Sequence, residues 1–260
     1  FPGGNIGKIA FCGTVNDLAV MGARPIGISL SLILEEGFSK EEFTRIIETI
    51  GSLSKETGIP VVTGDTKVVE RGSVDKIIIN TSGVGLASRV LEEPLTEGDI
   101  VIVSGGLGEH GAALLARRFE LETTLETDCK PLHQELSAIG SLIKQAKDIT
   151  RGGLAAILNE LSERNSVAIT VDEESVPLHE EVRALTEMLG IDVYSLASEG
   201  RFVCVVANEH AEEVLTILRG FNARAMQIGN VCVGKGVSVQ TAYGKKILSM
   251  PSGNIVPRIC

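Results

Sequence analysis

Six short stretches of this 260-residue chain bring together side chains that could do chemistry. The last of them ends the chain on a thiol. Cys260 follows Pro257, Arg258 and Ile259, and from Ser249 onward Pro251, Ser252, Gly253, Asn254 and Pro257 disfavour helix and strand alike. Fully extended, Ser249 to Cys260 spans roughly 40 Å, enough to carry a thiol from a partner's pocket back to its own domain. The plain alternative is a frayed end with an incidental cysteine.

Three other stretches suit phosphate or metal chemistry. Asn16-Asp17 breaks an otherwise apolar helical pattern over Ile6 to Gly22, where an unpaired carboxylate would be costly to bury. Gly64-Asp65-Thr66-Lys67 follows the apolar run Pro60 to Thr63. A glycine turn presenting an acid, a hydroxyl and an amine at a strand end suits metal and phosphate ligands, and equally suits a solvated turn. Asp148-Ile149-Thr150-Arg151-Gly152-Gly153 precedes a helical pattern, whose open N–H groups and dipole favour anions; a plainly capped helix with an exposed arginine reads the same way. Glu199, in Ser198-Glu199-Gly200 before a strand, reads on its own as a surface acid.

The remaining stretch, Gly106-Leu107-Gly108-Glu109-His110-Gly111, satisfies G-x-G-x-x-G between a strand and a helix, with Asp128 placed about 20 residues on as a ribose-binding acid would be. This suggests a nicotinamide-dependent oxidoreductase. The fingerprint also needs a second strand before that acid, and Phe119 to Asp128 holds no buried apolar run. His110 is the one histidine of four placed in a glycine loop; His133, His179 and His210 read as helix-surface residues. No hydrolase motif is present.

Composition narrows the classes. A net charge of −10 argues against a nucleic-acid binder, though a small phosphate site remains open because a cation supplies local charge. Hydrophobic residues make up 43% but aromatics only 3%, so Val, Ile, Leu and Ala must form the core. Five scattered cysteines with no Cys-x-x-Cys suggest free thiols and a reducing cytosol rather than disulfides or a thiolate metal site. No apolar run of about 18 residues reads as a membrane span.

The elements that must position these residues follow from periodicity. Helical patterns cover Ile6 to Gly22, a stripe from Phe43 to Leu53 opened by a Ser39/Glu42 capping box, Gly111 to Arg118, Pro131 to Ala146, Gly153 to Arg164, Leu178 to Leu189 and Glu209 to Leu218. Strand patterns cover Ile26 to Leu34, Pro60 to Val69, Lys76 to Ala87, Asp99 to Ser104, Val167 to Val171, Arg201 to Ala207, Ala225 to Cys232 and Val237 to Thr241. Strict alternation is lacking, so the expectation is two α+β domains, 1–91 and 92–248, then a mobile tail, 249–260.

The ending PRIC, with FPGGNIGK at the start and GDTKVVERG in the middle, resembles the HypE family of hydrogenase maturation factors, the carbamoyl dehydratases. The resemblance runs from Phe1 to Cys260. NDLAVMGARP around Asp17 and GDT at Asp65 are also similar to the wider superfamily of aminoimidazole ribonucleotide synthetase (PurM), selenophosphate synthetase and thiamine monophosphate kinase. The resemblance implies a two-domain PurM-like fold and a homodimer paired through the N-terminal sheets. It also implies that Cys260 is itself the substrate carrier. A carbamoyltransferase, HypF, loads it; ATP drives dehydration of the carboxamide to a thiocyanate; the cyanide passes to iron in a HypC-HypD scaffold. The setting is cytoplasmic, with neither nucleic acid nor membrane as partner.

On that resemblance Asp17 and Asp65 hold Mg²⁺, and Asn16, Gly64, Thr66 and Asp148 join them around ATP. Lys67 and Arg151 neutralise phosphate, and Glu199 removes a proton. Ser198 stands where the family usually has Asn. The family has a further acidic segment ahead of FPGG, and Phe1-Pro2 is not an initiating methionine, so this chain is expected to bind MgATP weakly. A third possibility is a non-catalytic scaffold that only carries a thiol.

Overall fold

Residues 1–252 are described by a computed structural model. The end of the expected arm, residues 253–260 with Cys260, lies outside the described residues.

Capping chemistry sets the first helices. Asn5 accepts hydrogen bonds from the Gly7 and Lys8 N–H groups and so opens α1 (Ile6–Val20). Ser39 accepts from the Glu42 N–H to open α2 (Lys40–Thr57), and Gly58 closes it at φ 72°. Between and after them run β1 (Arg24–Glu35), β2 (Val61–Val69) and β3 (Ile77–Leu86), ordered β2-β1-β3. β1 and β2 are parallel through α2, and β3 returns antiparallel to β1.

Register decides what each side of this small sheet meets, because cross-strand partners share a face. Ile28, Leu30 and Leu32 turn inward and pack with Ile46, Ile50 and Leu53 of α2 and Ile9 and Val15 of α1. Ser31 and Ile33, with register partners Asn80 and Ile78, point the other way. That outer face leaves Val62, Ile78, Val84 and Leu86 exposed, Val62 at 65% and Val84 at 63%.

The second unit holds β4 (Ile100–Val103), β5 (Ile143–Asp148), β6 (Ala168–Asp172), β7 (Phe202–Val206), β8 (Met226–Cys232), β9 (Gly236–Thr241) and β10 (Gly244–Ile247). They form one sheet in the order β10-β9-β6-β8-β4-β7-β5, antiparallel throughout except for β6 beside β9. The apolar runs IVIV and FVCVV are buried at every position because both faces of the sheet are covered. Val101, Val103, Val203 and Val205 pack with Leu154, Leu158 and Leu161 of α5 (Gly153–Asn165). Ile100, Ile102, Phe202 and Cys204 face α4 (His133–Ile139) and α7 (Ala211–Phe221). Outside this sheet, α3 (Glu109–Arg118) and α6 (Glu180–Leu189) share a cluster of their own. Ala19 and Val20 of α1 join the α4/α7 core, so the first helix is packed into both units.

Three sequence expectations give way. Pro131 to Ala146 is not one helix: α4 lasts seven residues, turns at Gly140 and is followed by β5. Leu136, Ile139, Ile143 and Ala146 keep near-helical spacing, but β7 takes β5 along its edge, and tertiary pairing overrides the pattern. Gly64 to Lys67 is no turn at a strand end; it lies within β2, in register with Leu30 to Ile33. Strand β10 had no counterpart in the sequence reading.

Candidate active site at the seam between the two units

Two loops and one helix converge here. β5 ends at Asp148 and continues through Ile149-Thr150-Arg151 into α5, while Ser198-Glu199-Gly200 leads into β7. Backbone bonds join the loops: the Ile149 N–H donates to Arg201 C=O at 2.9 Å and the Ser198 N–H to Ile149 C=O at 2.7 Å. Two glycines permit the close approach. A Cβ on Gly200 would stand 1.9 Å from the Asp128 carbonyl oxygen, and one on Gly153, where φ is 61°, 2.5 Å from that of Tyr194.

Helix α1 forms the third wall. Asn16 is 1% exposed, and its Nδ2 donates to the carbonyls of Lys130 at 3.1 Å and Glu199 at 3.3 Å. Its Oδ1 accepts the Leu132 N–H at 2.8 Å. The amide expected among the nucleotide ligands is therefore a clasp between the units, committed to backbone on the far side of the seam. Asp17, the next residue, stays exposed.

The electrostatics single out one carboxylate. Glu199 is buried, and its pKa is pushed up to about 7, first by burial and then by Asp128, Asp148 and Asp17, with Arg151 opposing. Burial and the charge of Asp17 push Asp148 up to about 6. Asp17 is itself raised by partial burial and eased by Lys147. Among the described residues, no side chain donates a hydrogen bond to the Glu199 carboxylate. Such a group takes up or gives a proton near neutral pH.

The structure brings Asp17, Asp148, Arg151 and Glu199 together and leaves the GDTK stretch apart. Strand alternation puts Asp65 and Lys67 on the outer face of the small sheet with Ser31 and Ile33, and turns Gly64 and Thr66 to the inner face. α1 packs on that inner face, where Thr14 Oγ1 and Thr81 Oγ1 lie 2.7 Å apart. Asp17 and Asp65 thus flank the sheet from opposite sides, and the expected pair of metal ligands does not assemble within one chain. No cluster of three or more His, Cys, Asp or Glu side chains with metal-binding geometry occurs among the described residues.

The glycine loop braces the site from behind. Ser198 Oγ accepts the Gly108 N–H at 2.8 Å, and Glu109 pairs with Arg201 at 2.9 Å. β4 has only antiparallel neighbours, no strand forms over Phe119 to Asp128, and side chains of Arg201, Asn222 and Leu196 fill the space beside Gly105 and Gly108. A dinucleotide cradle is absent, which removes the oxidoreductase reading. His110 is buried, hydrogen-bonded through Nδ1 to Thr127 Oγ1 at 2.6 Å and held neutral: burial pushes its pKa down to about 4.

The chain leaves the second unit at the same place. Asn159 Nδ2 donates to Leu248 C=O at 2.9 Å, and Pro251 Cγ lies 3.8 Å from where a Cβ on Gly152 would stand. Sequence reading placed Asp128 only as the acid of a dinucleotide motif, and missed Ser198 as a brace and Asn159. Each acts through backbone partners distant in sequence and leaves no local pattern. No helix among the described residues is long and apolar enough to cross a membrane.

Comparison with known proteins agrees with this architecture. Residues 1–87 match the family AIR synthase related protein, N-terminal domain, and residues 96–242 match its C-terminal domain. The chain is 42% identical to a carbamoyl dehydratase HypE from Rhizobium leguminosarum bv. viciae, over all of this chain and 78% of that protein. It is 41% identical to that of Escherichia coli K12, over all of this chain and 80% of that protein. A crystal structure of HypE in complex with ATP superposes with a TM-score of 0.96 at 37% identity, covering 100% of this chain and 83% of the other. A HypE-HypF complex gives 0.92 at 41% identity, covering 96% and 86%.

Proposed function

The chain belongs to the carbamoyl dehydratase HypE family of the AIR synthase related proteins, a two-domain fold that serves hydrogenase maturation, and from that premise we propose that it dehydrates an S-carboxamide on its own Cys260 to a thiocyanate. We place the domain division at 91/92, within residues 87–99, which hold no helix or strand. The observation that supports the reading is the meeting, at one seam, of the proton-accepting Glu199 and the root of the tail beside Gly152. Cys260 lies nine positions beyond Pro251, a reach of about 30 Å.

The chemistry has a leaving-group problem. An amide oxygen departs poorly, so ATP serves as second substrate and transfers its γ-phosphoryl group to the carboxamide oxygen while one nitrogen proton is lost. Phosphate then leaves with the electrons of the C–O bond, Glu199 takes the remaining nitrogen proton, and S–C≡N results. Arg151 and Lys67 meet phosphate charge. Mg²⁺ fits the seam, where the charge of Asp17 raises the pKa of Asp148 and a divalent cation would relieve that repulsion; Mg²⁺ typically takes one or two carboxylates plus substrate phosphates. When bound it screens the phosphates.

Asp65 and Lys67 enter through symmetry. They stand on the uncovered outer face with Val62, Ile78, Val84 and Leu86, the surface a second copy would cover in a homodimer. One phosphate site holding Asp17, Asp65 and Lys67 is then built from two chains. The expected partners are a HypF carbamoyltransferase, which loads Cys260, and a HypC-HypD iron scaffold, which accepts the cyanide; the setting is the cytoplasm. Incubation with carbamoyl phosphate, the carbamoyltransferase and ATP tests the reading. The terminal peptide gains a carbamoyl group and then loses the mass of one water; a carbamoyl adduct that persists with ATP leaves only a thiol carrier.

A further inference from the structure

Asp128 has no part in the mechanism above, yet it is the most completely buried acid of the seam. Its side chain is 0% exposed, and it is only half satisfied. Oδ1 accepts the Glu199 N–H at 2.9 Å, whereas Oδ2 accepts no hydrogen bond and faces Arg201 Nε at 3.9 Å. Arg201 directs its donors elsewhere: Nε to Gly106 C=O at 3.2 Å, Nη1 to Gly200 C=O at 2.9 Å and Nη2 to Glu109 at 2.9 Å.

Holding a loop does not require this group. An asparagine would accept the same N–H without the desolvation cost of a charge, and a buried carboxylate with an unbonded oxygen is the costlier choice. The charge has one neighbour on which to act. The Glu199 backbone is gripped on both sides, N–H by Asp128 and C=O by Asn16, which leaves its side chain as the free part of the loop. The charged groups around Glu199 are Asp128, Asp148 and Asp17, which disfavour its anion, and Arg151, which favours it. Burial pushes the Asp128 carboxyl up to about 6; of the charged groups around it, Arg201 opposes that rise and Glu109 adds to it.

We propose that Asp128 is a positioning residue for Glu199: it fixes the Glu199 backbone N–H and sets a negative charge behind the carboxylate, making Glu199 an effective acceptor of the carboxamide nitrogen proton. The inference rests on Glu199 being that acceptor.

The test uses the chain carbamoylated on Cys260 by its carbamoyltransferase, mixed with MgATP, with thiocyanate formation followed in a single turnover across pH. Glu199→Gln stops the step. Asp128→Asn keeps the hydrogen-bond acceptor and the volume but removes the charge. It slows dehydration roughly tenfold, because a weaker base gives less general-base assistance. It moves the acid-side midpoint of the rate profile to lower pH, because Glu199 loses a neighbour that raised its proton affinity. The KM for ATP stays at the parent value. Should Asp128→Asn fail to fold by circular dichroism, Asp128→Ser, smaller and also neutral, gives the same two readings. Parental rate and midpoint in the neutral variant, with Glu199→Gln inactive, overturn the role of Asp128 and leave Glu199 in place. A Glu199→Gln chain that dehydrates at the parental rate overturns both.

Discussion

The seam and the outer face of the small sheet both carry acids and cations, and they differ in what surrounds them. At the seam, Glu199 and Asp148 are pulled out of water and pressed against other acids, which raises their proton affinity toward neutrality. On the outer face, Asp65 and Lys67 stand exposed on β2 among apolar side chains that nothing covers. One region assembles its buried acids within a single chain. The other sits on an exposed apolar face, the one that the proposed homodimer would cover. Under the proposed function, the phosphate-binding groups on the sheet and the proton-accepting group at the seam would work together only if chains associate.

The largest expected effect tests the seam. Glu199→Gln lowers thiocyanate formation by about a hundredfold or more, the usual worth of a general base, while Cys260 still accepts the carbamoyl group. Equal rates in variant and parent would move proton removal to another residue.

The next prediction joins the two regions. Asp17→Ala and Lys67→Ala are each inactive alone. Mixed and exchanged in equal amounts, they recover about a quarter of parental activity, since half the dimers are mixed and one of the two sites in each is intact. No recovery on mixing would place Asp17 and Lys67 in one chain's site, against the geometry.

Val84→Asp probes the outer face. A charge on the uncovered face leaves the fold intact and shifts the protein to a monomer in sedimentation equilibrium, with ATP turnover lost. A variant that stays dimeric would remove this face from the interface.

The smallest effect is one of stability. A carboxyl whose folded pKa is raised costs nothing at a pH below its unfolded value and destabilises progressively as pH rises through the folded one. For Glu199 that window runs from about 4.5 to about 7. Glu199→Gln therefore stabilises the chain by about 3 kcal/mol at pH 8 and not at pH 4, read by denaturant unfolding. Equal gains at both pH values would show a packing effect instead.

How much of this was legible in the sequence follows the range of the interactions. The caps at Ser39 and Gly58, the two-faced burial of IVIV and FVCVV, and the helix after Gly152 are local or periodic signals, and the structure has them. The family motifs pointed to Asp17, Asp148, Arg151 and Glu199, which meet at the seam. What failed needed partners remote in sequence. β5 owes its strand to β7, the GDTK stretch owes its division over two faces to pairing with β1, and Asn16 owes its role to backbone at Lys130, Leu132 and Glu199. Asp128 fitted the acid of a dinucleotide motif by spacing alone; only the fold sets it behind Glu199.

The central claim is that the seam serves the tail. Mass analysis of the C-terminal peptide tests it most directly, on the chain treated with the carbamoyltransferase, carbamoyl phosphate and then MgATP, beside its Glu199→Gln variant. The account predicts that both acquire the carbamoyl group on Cys260 and that only the parent then loses the mass of one water. Loss of water from both, or from neither, would contradict it.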